Sequence, residues 1–354
     1  MDRAIKPFND LWLDCISNNL IAMLISDNES FKNIPCYMDA IYLKKVLDQP
    51  YSSEAVQGEL LDHGAFFPKI QYSLGILTDL IYRESYEYDI FNDQVQKVIQ
   101  ENLDLGFFVF LTIDRFFYPS GVNAKTSHMV HPAFIYGYSD KDECYHAIED
   151  CITMGRMDYY SIPFTSVDLS SKYLLSIGKS INVSYCRTNK SVKQFKHQVT
   201  LSQVINSLEM TLRGGQIYNE NYDLYYYSGL DALTKYLEEF DHLFLNLKDE
   251  NHFKARILSF CQFHERNKKL TQLISESYGL DISRVDETFL NLQNKWQVFK
   301  NRSYYLLEMN RMNGINFNQN DLDKLRSKLE DIIELERSAA ESLLLLCKGY
   351  RPMN

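Results

Sequence analysis

Apolar and polar positions change their rhythm twice along the chain. Ile16, Leu20, Met23 and Leu24 recur at helical spacing, so Trp12–Ile25 is expected to be a buried helix with Asp14 as a possible N-cap and Asp27–Glu29 ending it. Short helices are expected in Ala40–Leu47 and Glu54–His63, and a strand in Ile76–Tyr82. Asn92–Leu103 is a clearer helix: Asn92 or Asp93 caps it, Val95, Val98, Ile99 and Leu103 line one face, and Gly106 closes it. Phe107–Ile113 is a continuous apolar run, the pattern of a strand covered on both faces. A polar, aromatic loop over Arg115–Ser127 follows. Val130–Tyr138 and Tyr145–Asp150 are then two apolar runs joined by the polar turn Ser139–Glu143, which predicts an antiparallel hairpin. Strands in Arg156–Ile162 and Ile181–Arg187, with a helix at Thr165–Leu174 between them, complete this half.

Beyond about Lys190 prolines disappear until Pro352, and three/four spacing dominates. Helices are expected at Leu201–Leu212, Gly229–Leu247 and Asn251–Tyr278. A fourth carries Val285, Phe289, Leu292, Trp296, Phe299 and Leu306. The last runs from an Asn320 cap through Leu322, Leu329 and Leu343 to Gly349. Long amphipathic helices with short connections predict an antiparallel bundle. The expected fold class is α+β, with an antiparallel-sheet domain over 1–190 and a helical domain over 191–354.

The hairpin is where the chemistry begins. His131 starts its first strand and Glu149-Asp150 ends its second, so an imidazole and a carboxylate end up side by side. A histidine oriented by a carboxylate is half of a nucleophilic site. Cys15, at the first turn of a helix whose unpaired N–H groups favour a thiolate, can supply the other half. Asn9, six residues earlier, offers an amide that could join the Cys15 N–H around a developing oxyanion. Strand alternation admits only one of Glu149 and Asp150 to the His131 side, and His128 and Cys151 are rivals for histidine and thiol. Taken singly, each of these residues has a plain structural reading: a core cysteine, a strand histidine, a turn acid, a surface amide. Their order, Asn…Cys…His…Asp on a helix followed by a sheet, is that of papain-like enzymes.

Several segments resemble the butirosin biosynthesis protein H family. Asp114-Arg115-Phe116-Phe117-Tyr118-Pro119 is similar to its Asp-x-Tyr-Tyr-Leu-Pro segment, and His131 with Ile135-Tyr136-Gly137-Tyr138-Ser139-Asp140 to its histidine strand and turn. Asp14-Cys15 and Gly229-Leu230-Asp231-Ala232-Leu233 also resemble family segments. Pro132 departs from the pattern, because the family usually has an apolar or aromatic residue there, and a proline removes a ladder donor. The resemblance implies a papain-like N-terminal domain, a helical C-terminal domain, and acyl transfer from a carrier-protein thioester to an amine. It maps Cys15 to the nucleophile, His131 to the base and Asp150 to the orienting acid. The reading is then an acyltransferase of secondary (antibiotic) metabolism, with a cysteine peptidase, amidase or thioesterase, or a non-catalytic binding protein of the same shape, as alternatives.

Composition narrows the partners. A net charge of −10 argues against nucleic acid or an anionic membrane. No apolar run approaches the ~20 residues that span a bilayer. Seven cysteines at wide spacing, with no CxxC, suggest neither a disulfide framework nor a zinc site and place the chain in the cytoplasm. No cofactor is expected beyond a substrate carried on the phosphopantetheine arm of an acyl or peptidyl carrier protein, with a small-molecule amine as acceptor; homodimerisation is left open. Arg187, Lys190, Lys193 and Lys196 form a positive stripe in this acidic chain that could steer such a carrier.

Overall fold

A computed structural model of the chain describes residues 4–47, 66–153, 155–192, 199–220, 224–247, 250–313 and 318–350, with the side chains of 251, 252 and 313 left aside. The expected helix at Glu54–His63 lies outside them. The protein is mixed α and β, with antiparallel sheets and a helical C-terminal region. It divides into two compact units, residues 1–34 with 74–196, and residues 35–73 with 197–354. The division expected near residue 190 is therefore incomplete: the segment 35–73 belongs with the helical part. The reason is strand pairing between residues far apart in sequence.

The first unit holds helix α1 (Cys15–Asp27), a short helix α2 (Gly75–Leu80), strand β3 (Ile81–Tyr88), helix α3 (Asp93–Asp104), strands β4 (Phe108–Asp114), β5 (Val130–Ser139), β6 (Cys144–Glu149) and β7 (Asp158–Pro163), helix α4 (Phe164–Ser176) and strand β8 (Ile181–Thr188). Its six strands pair antiparallel in the order β3-β8-β4-β5-β6-β7. The strand expected at Ile76–Tyr82 is a helix up to Leu80 and becomes strand only at Ile81, where the chain pairs with Thr188 of β8. Asn92 caps α3 as expected, its side chain accepting from the Gln94 and Val95 amides. Val95, Ile99 and Leu103 of α3 and Val167 and Leu174 of α4 join Val109, Leu111, Ala133, Ile135 and Ala147 of the sheet in one buried core. Helix α1 lies against β5 and β8.

A single irregularity sets the register of the central hairpin. Near the turn Ser139 pairs with Cys144 and Gly137 with His146, but beyond a bulge at Tyr136 the pairs are Ile135–Ala147 and Phe134–Ile148. A continuous ladder would have set Asp150 opposite Ala133, on the face of His131. The extra residue moves that place to Glu149. Pro132, without an N–H, falls where β5 is paired with β4 but not yet with β6, so it breaks no β5–β6 bond.

In the second unit β1 (Ala40–Lys45) and β2 (Lys69–Tyr72) join β9 (Gly215–Asn219) and β10 (Leu224–Ser228) in the order β2-β1-β10-β9. Where a helix was expected over Ala40–Leu47, the chain is thus a strand over Ala40–Lys45. Leu43 pairs with Ser228 and Ile41 with Gln71, and the pairing overrides a helix-compatible spacing. β9 and β10 fall between the helices expected at Leu201–Leu212 and Gly229–Leu247, where no strand was expected. Around this sheet stand α5 (Leu201–Arg213), α6 (Gly229–Glu238), α7 (Phe240–Leu245) and the long helices α8 (Glu250–Tyr278), α9 (Ser283–Asn313) and α10 (Gln319–Lys348). Gly229–Leu247 is two helices rather than one, broken at Glu239, whose carboxylate takes the ammonium of buried Lys44. Asn318, not Asn320, caps α10. No described helix is long and apolar enough to cross a membrane, and all seven cysteines are free thiols.

Gly121 sits in the loop after β4 at φ +124°, where a Cβ would come within 2.7 Å of the Cys151 carbonyl oxygen; the neighbouring Val122 N–H donates to that oxygen at 2.8 Å. Gly121→Ala is expected to lower stability by about 1–3 kcal/mol from backbone strain alone. Urea unfolding of the two proteins measures it, and an unchanged midpoint would show that the loop moves freely.

Candidate functional site

Cys15 is the first residue of α1. Asp14 caps the helix, its Oδ1 accepting from the Ser17 amide at 2.7 Å and its Oδ2 from the Ser17 hydroxyl at 2.7 Å. The approach to the helix is tied down by Asn18, buried in its first turns. Its Nδ2 donates to the Phe8 and Leu11 carbonyls at 3.1 and 2.8 Å, and its Oδ1 accepts from the Leu13 amide at 2.9 Å. Asn19 donates to the Ile148 carbonyl at 3.3 Å, which fastens α1 to β6 one residue before Glu149. Sequence reasoning passed over both asparagines. Their signal was two adjacent amides inside an otherwise apolar buried helix, where each has to find a backbone partner.

His131, near the start of β5, brings its Nε2 to 2.7 Å from the half-buried Cys15 Sγ. Its Nδ1 faces Glu149 Oε2 at 3.8 Å. Arg115 Nη2 lies 3.4 Å from the same Nε2. Both N–H groups of that Nη2 are taken by Glu149 and Asp150, so the tautomer follows from the groups the ring faces: a neutral imidazole with Nε2 on the thiol carries its proton on Nδ1, toward Glu149. The thiol then donates to the imidazole. Cysteine and histidine meet as the sequence suggested; the acid does not. Asp150 is paired with Arg115 instead, and the bulge in β5 gives its place to Glu149.

Arg115 was not anticipated as a site residue. Its side chain is 1% exposed and its Nη2 contacts both Glu149 and Asp150, while Tyr118 Oη donates to Glu149 Oε1 at 3.3 Å. It is aimed by the residue before it. Buried Asp114 accepts on Oδ1 from the Phe116 and Met129 amides at 3.0 and 2.9 Å, and its Oδ2 lies 2.6 Å from His128 Nδ1. His128, the alternative histidine, is stacked between Phe116 and Tyr173 at 4.4 and 4.2 Å and belongs to this clamp rather than to Cys15. Asp114-Arg115-Phe116 was visible as a motif, but which of its members would turn inward was not.

Asn9 is not at an oxyanion position. Its Nδ2 donates to the Met157 carbonyl at 2.9 Å and its Oδ1 accepts from the Met157 amide at 2.8 Å, so both ends of the amide hold the segment leading into α1 to the segment before β7. The Cys15 amide keeps the helix-start position, where no carbonyl of the helix lies four residues back. Cys151 is buried. In the basic stripe, Arg187 lies over the rings of Phe107 and Tyr82 at 4.4 and 5.1 Å, while Lys193 and Lys196 fall outside the described residues. Among the described residues no group of His, Cys, Asp and Glu side chains is placed to hold a metal ion.

Charge in the site favours a neutral pair. Burial pushes the Cys15 thiol well above its ordinary value, and the carboxylates of Asp150, Asp14 and Glu149 add to this against Arg115. Burial, with the Arg115 charge, pulls His131 down to about 3. Burial and Asp150 lift Glu149 to about 7, against the pull of Arg115. Its surroundings therefore oppose the thiolate that a helix start favours. A helix terminus contributes at most about 2 kcal/mol, roughly one and a half pKa units, less than burial and three acids oppose. The arrangement is a thiol held on a neutral imidazole with an acid behind it, able to deliver a nucleophile only as the proton is taken.

No known protein family matches the chain, and no curated protein does. What the fold and site define is therefore a class: a two-unit α and β protein with a half-buried cysteine against a buried histidine, backed by a glutamate–arginine–aspartate cluster.

Two measurements follow from this geometry. Because the thiol is raised, iodoacetamide should modify Cys15 about tenfold faster per pH unit between pH 7 and 9, with no plateau at acid pH; a plateau between pH 5 and 7 would reveal a thiolate–imidazolium pair. Acylation of Cys15 by a small thioester should slow about tenfold or more in Glu149→Gln, by loss of the charge that orients the imidazole, and less in Asp150→Asn. The opposite ranking would return the orienting role to Asp150.

Proposed function

We propose that this protein is an acyltransferase of papain-like build that takes an acyl or aminoacyl group from a carrier-protein thioester onto Cys15 and passes it to an amine of a secondary-metabolite precursor. The observation that carries the reading is the 2.7 Å approach of His131 Nε2 to Cys15 Sγ at the start of a helix, with Glu149 behind the ring. A cysteine on a helix, followed by a histidine and then an acid on adjacent antiparallel strands, is the papain-like order, and the segments similar to the butirosin biosynthesis protein H family point the same way.

In the first half-reaction Sγ attacks the thioester carbonyl while His131 Nε2 takes the thiol proton. The carbon–sulfur bond to the pantetheine arm breaks, and the proton passes to the departing thiolate. In the second, the amine nitrogen attacks acyl-Cys15, His131 takes its proton, and Sγ leaves and is reprotonated. One feature supports a thioester donor: exchange of one thioester for another is nearly isoenergetic, so the site needs positioning and exclusion of water more than a preformed thiolate. A cysteine hydrolase would use the same groups and differ only in the acceptor.

Incubation with an acyl-pantetheine thioester should add the acyl mass to the intact protein, and Cys15→Ala should remove the adduct completely. His131→Ala should slow its formation 10²–10⁴-fold while leaving the circular dichroism unchanged. Adding a primary amine should release amide rather than acid. Release of acid alone would make the protein a hydrolase, and an adduct that survives in Cys15→Ala would sink the proposal.

A further inference from the structure

One edge of the first unit's sheet is open. β3 pairs with β8 along its whole length, from Ile81–Thr188 to Tyr88–Ile181, and no described strand pairs with its other side. The backbone N–H and C=O groups on that side form a row about 26 Å long, a template for another strand. Every residue from Tyr82 to Glu87 is exposed.

The two faces of β3 carry different chemistry. Arg83, Ser85 and Glu87 share one face, on which Arg83 Nη2 donates to Ser184 Oγ at 3.1 Å and Ser85 Oγ lies 2.8 Å from the same atom. Tyr82, Glu84, Tyr86 and Tyr88 share the other, where the Tyr82 and Tyr86 hydroxyls both donate to Glu84. Neither Arg83 nor Glu87 has an ion-pair partner among the described residues. They stand four positions apart, about 13 Å along an extended chain, too far to pair with each other.

A second copy of the same strand brings the missing partners. Hydrogen-bonded and non-hydrogen-bonded pairs alternate in an antiparallel ladder, so a strand meeting its own copy about a twofold axis must have one residue facing itself. With the axis at Ser85, Arg83 of each copy lies opposite Glu87 of the other, Glu84 opposite Tyr86, and Tyr82 opposite Tyr88. With the axis one residue earlier, Glu84 would face Glu84, a repulsive pair. One residue later, Arg83 would have to face Asp89, which lies beyond the end of β3. Charges on an edge strand ordinarily guard it against pairing. These guard β3 against strands of another pattern and favour its own. The opposite edge of the sheet offers no such match: β7 ends on Pro163, which has no N–H, its Asp158 pairs with Arg156, and its Tyr159 hydroxyl donates to the Ile5 carbonyl.

We infer that β3 is the surface through which two copies of this chain associate, antiparallel and with Ser85 on the twofold axis, so that their six-stranded sheets join into one.

Sedimentation velocity of the full chain from ~1 to 200 µM should show monomer giving way to dimer, as a small interface does. Arg83→Glu sets like charges opposite each other at two symmetry-related places and should raise the dimer Kd at least about tenfold. Glu87→Arg should do the same. The double variant Arg83→Glu/Glu87→Arg restores opposite charges across the axis and should recover the dimer, which separates pairing from damage to the fold. With oxidised glutathione as oxidant, Ser85→Cys should give a disulfide-linked dimer that the natural chain does not. Facing Cα atoms in such a ladder are about 4.5–5.5 Å apart, within disulfide reach. Tyr86→Cys should not cross-link, since its two copies would lie about 7–8 Å apart. A monomer at every concentration, a dimer indifferent to Arg83→Glu, a double variant no better than the single ones, or no cross-link through Ser85→Cys would each overturn the proposal. None of these results bears on Cys15.

Discussion

The first unit depends on a cation sealed into its interior. Arg115 is almost wholly removed from water, and a buried guanidinium is tolerable only when charge and hydrogen bonding are returned to it. Glu149 and Asp150 return the charge through Nη2, while Nε and Nη1 have no hydrogen-bond partner among the described residues; the two acids do so from adjacent positions at the end of β6, where the strand stops and its alternation no longer sends neighbouring side chains to opposite faces. Removing one partner from such a cluster typically costs 3–5 kcal/mol, so the end of β6, the loop after β4 and the start of β5 are constrained to one arrangement. Asp114 extends that constraint outward through the Phe116 and Met129 amides and the His128 ring.

The same cluster sets the character of the thiol–imidazole pair. Burial and Arg115 oppose protonation of His131, and burial and the acids around Cys15 oppose its ionisation. Such a pair is unreactive until a carbonyl carbon arrives and a proton can move as the bond forms. That suits the proposed thioester chemistry, in which one thioester is exchanged for another at little overall free-energy change. Asn18 and Asn19 make the geometry stiff by spending their hydrogen bonds on the backbone leading into α1 and on β6.

In the second unit a buried charge is handled differently. Glu336 is neutralised on one side only, by Tyr42, Trp296 and His264, and Arg266 is solvated by carbonyls rather than by a carboxylate.

The local elements were legible in the sequence wherever a short-range pattern decides them: the capped helix at Asn92, the apolar strand at Phe107–Ile113, the hairpin with His131 at its start, and the long C-terminal helices. Cys15 and His131 could be paired because a helix start and a strand start are each marked by local chemistry. The acid could not be chosen, because one extra residue at Tyr136 reverses which of Glu149 and Asp150 faces the ring, and a bulge is a property of two paired strands. Asn9 and Arg115 were misjudged for a similar reason: an amide or a guanidinium is polar in any sequence, and only the fold says whether Met157 or a carboxylate lies opposite. Ala40–Lys45 carries a spacing compatible with helix and becomes a strand because β10, some 180 residues later, offers it a ladder. Periodicity reports on the faces of one element. Pairing, register and buried charge depend on which residues distant in the chain come together, and that was decided only in the tertiary structure.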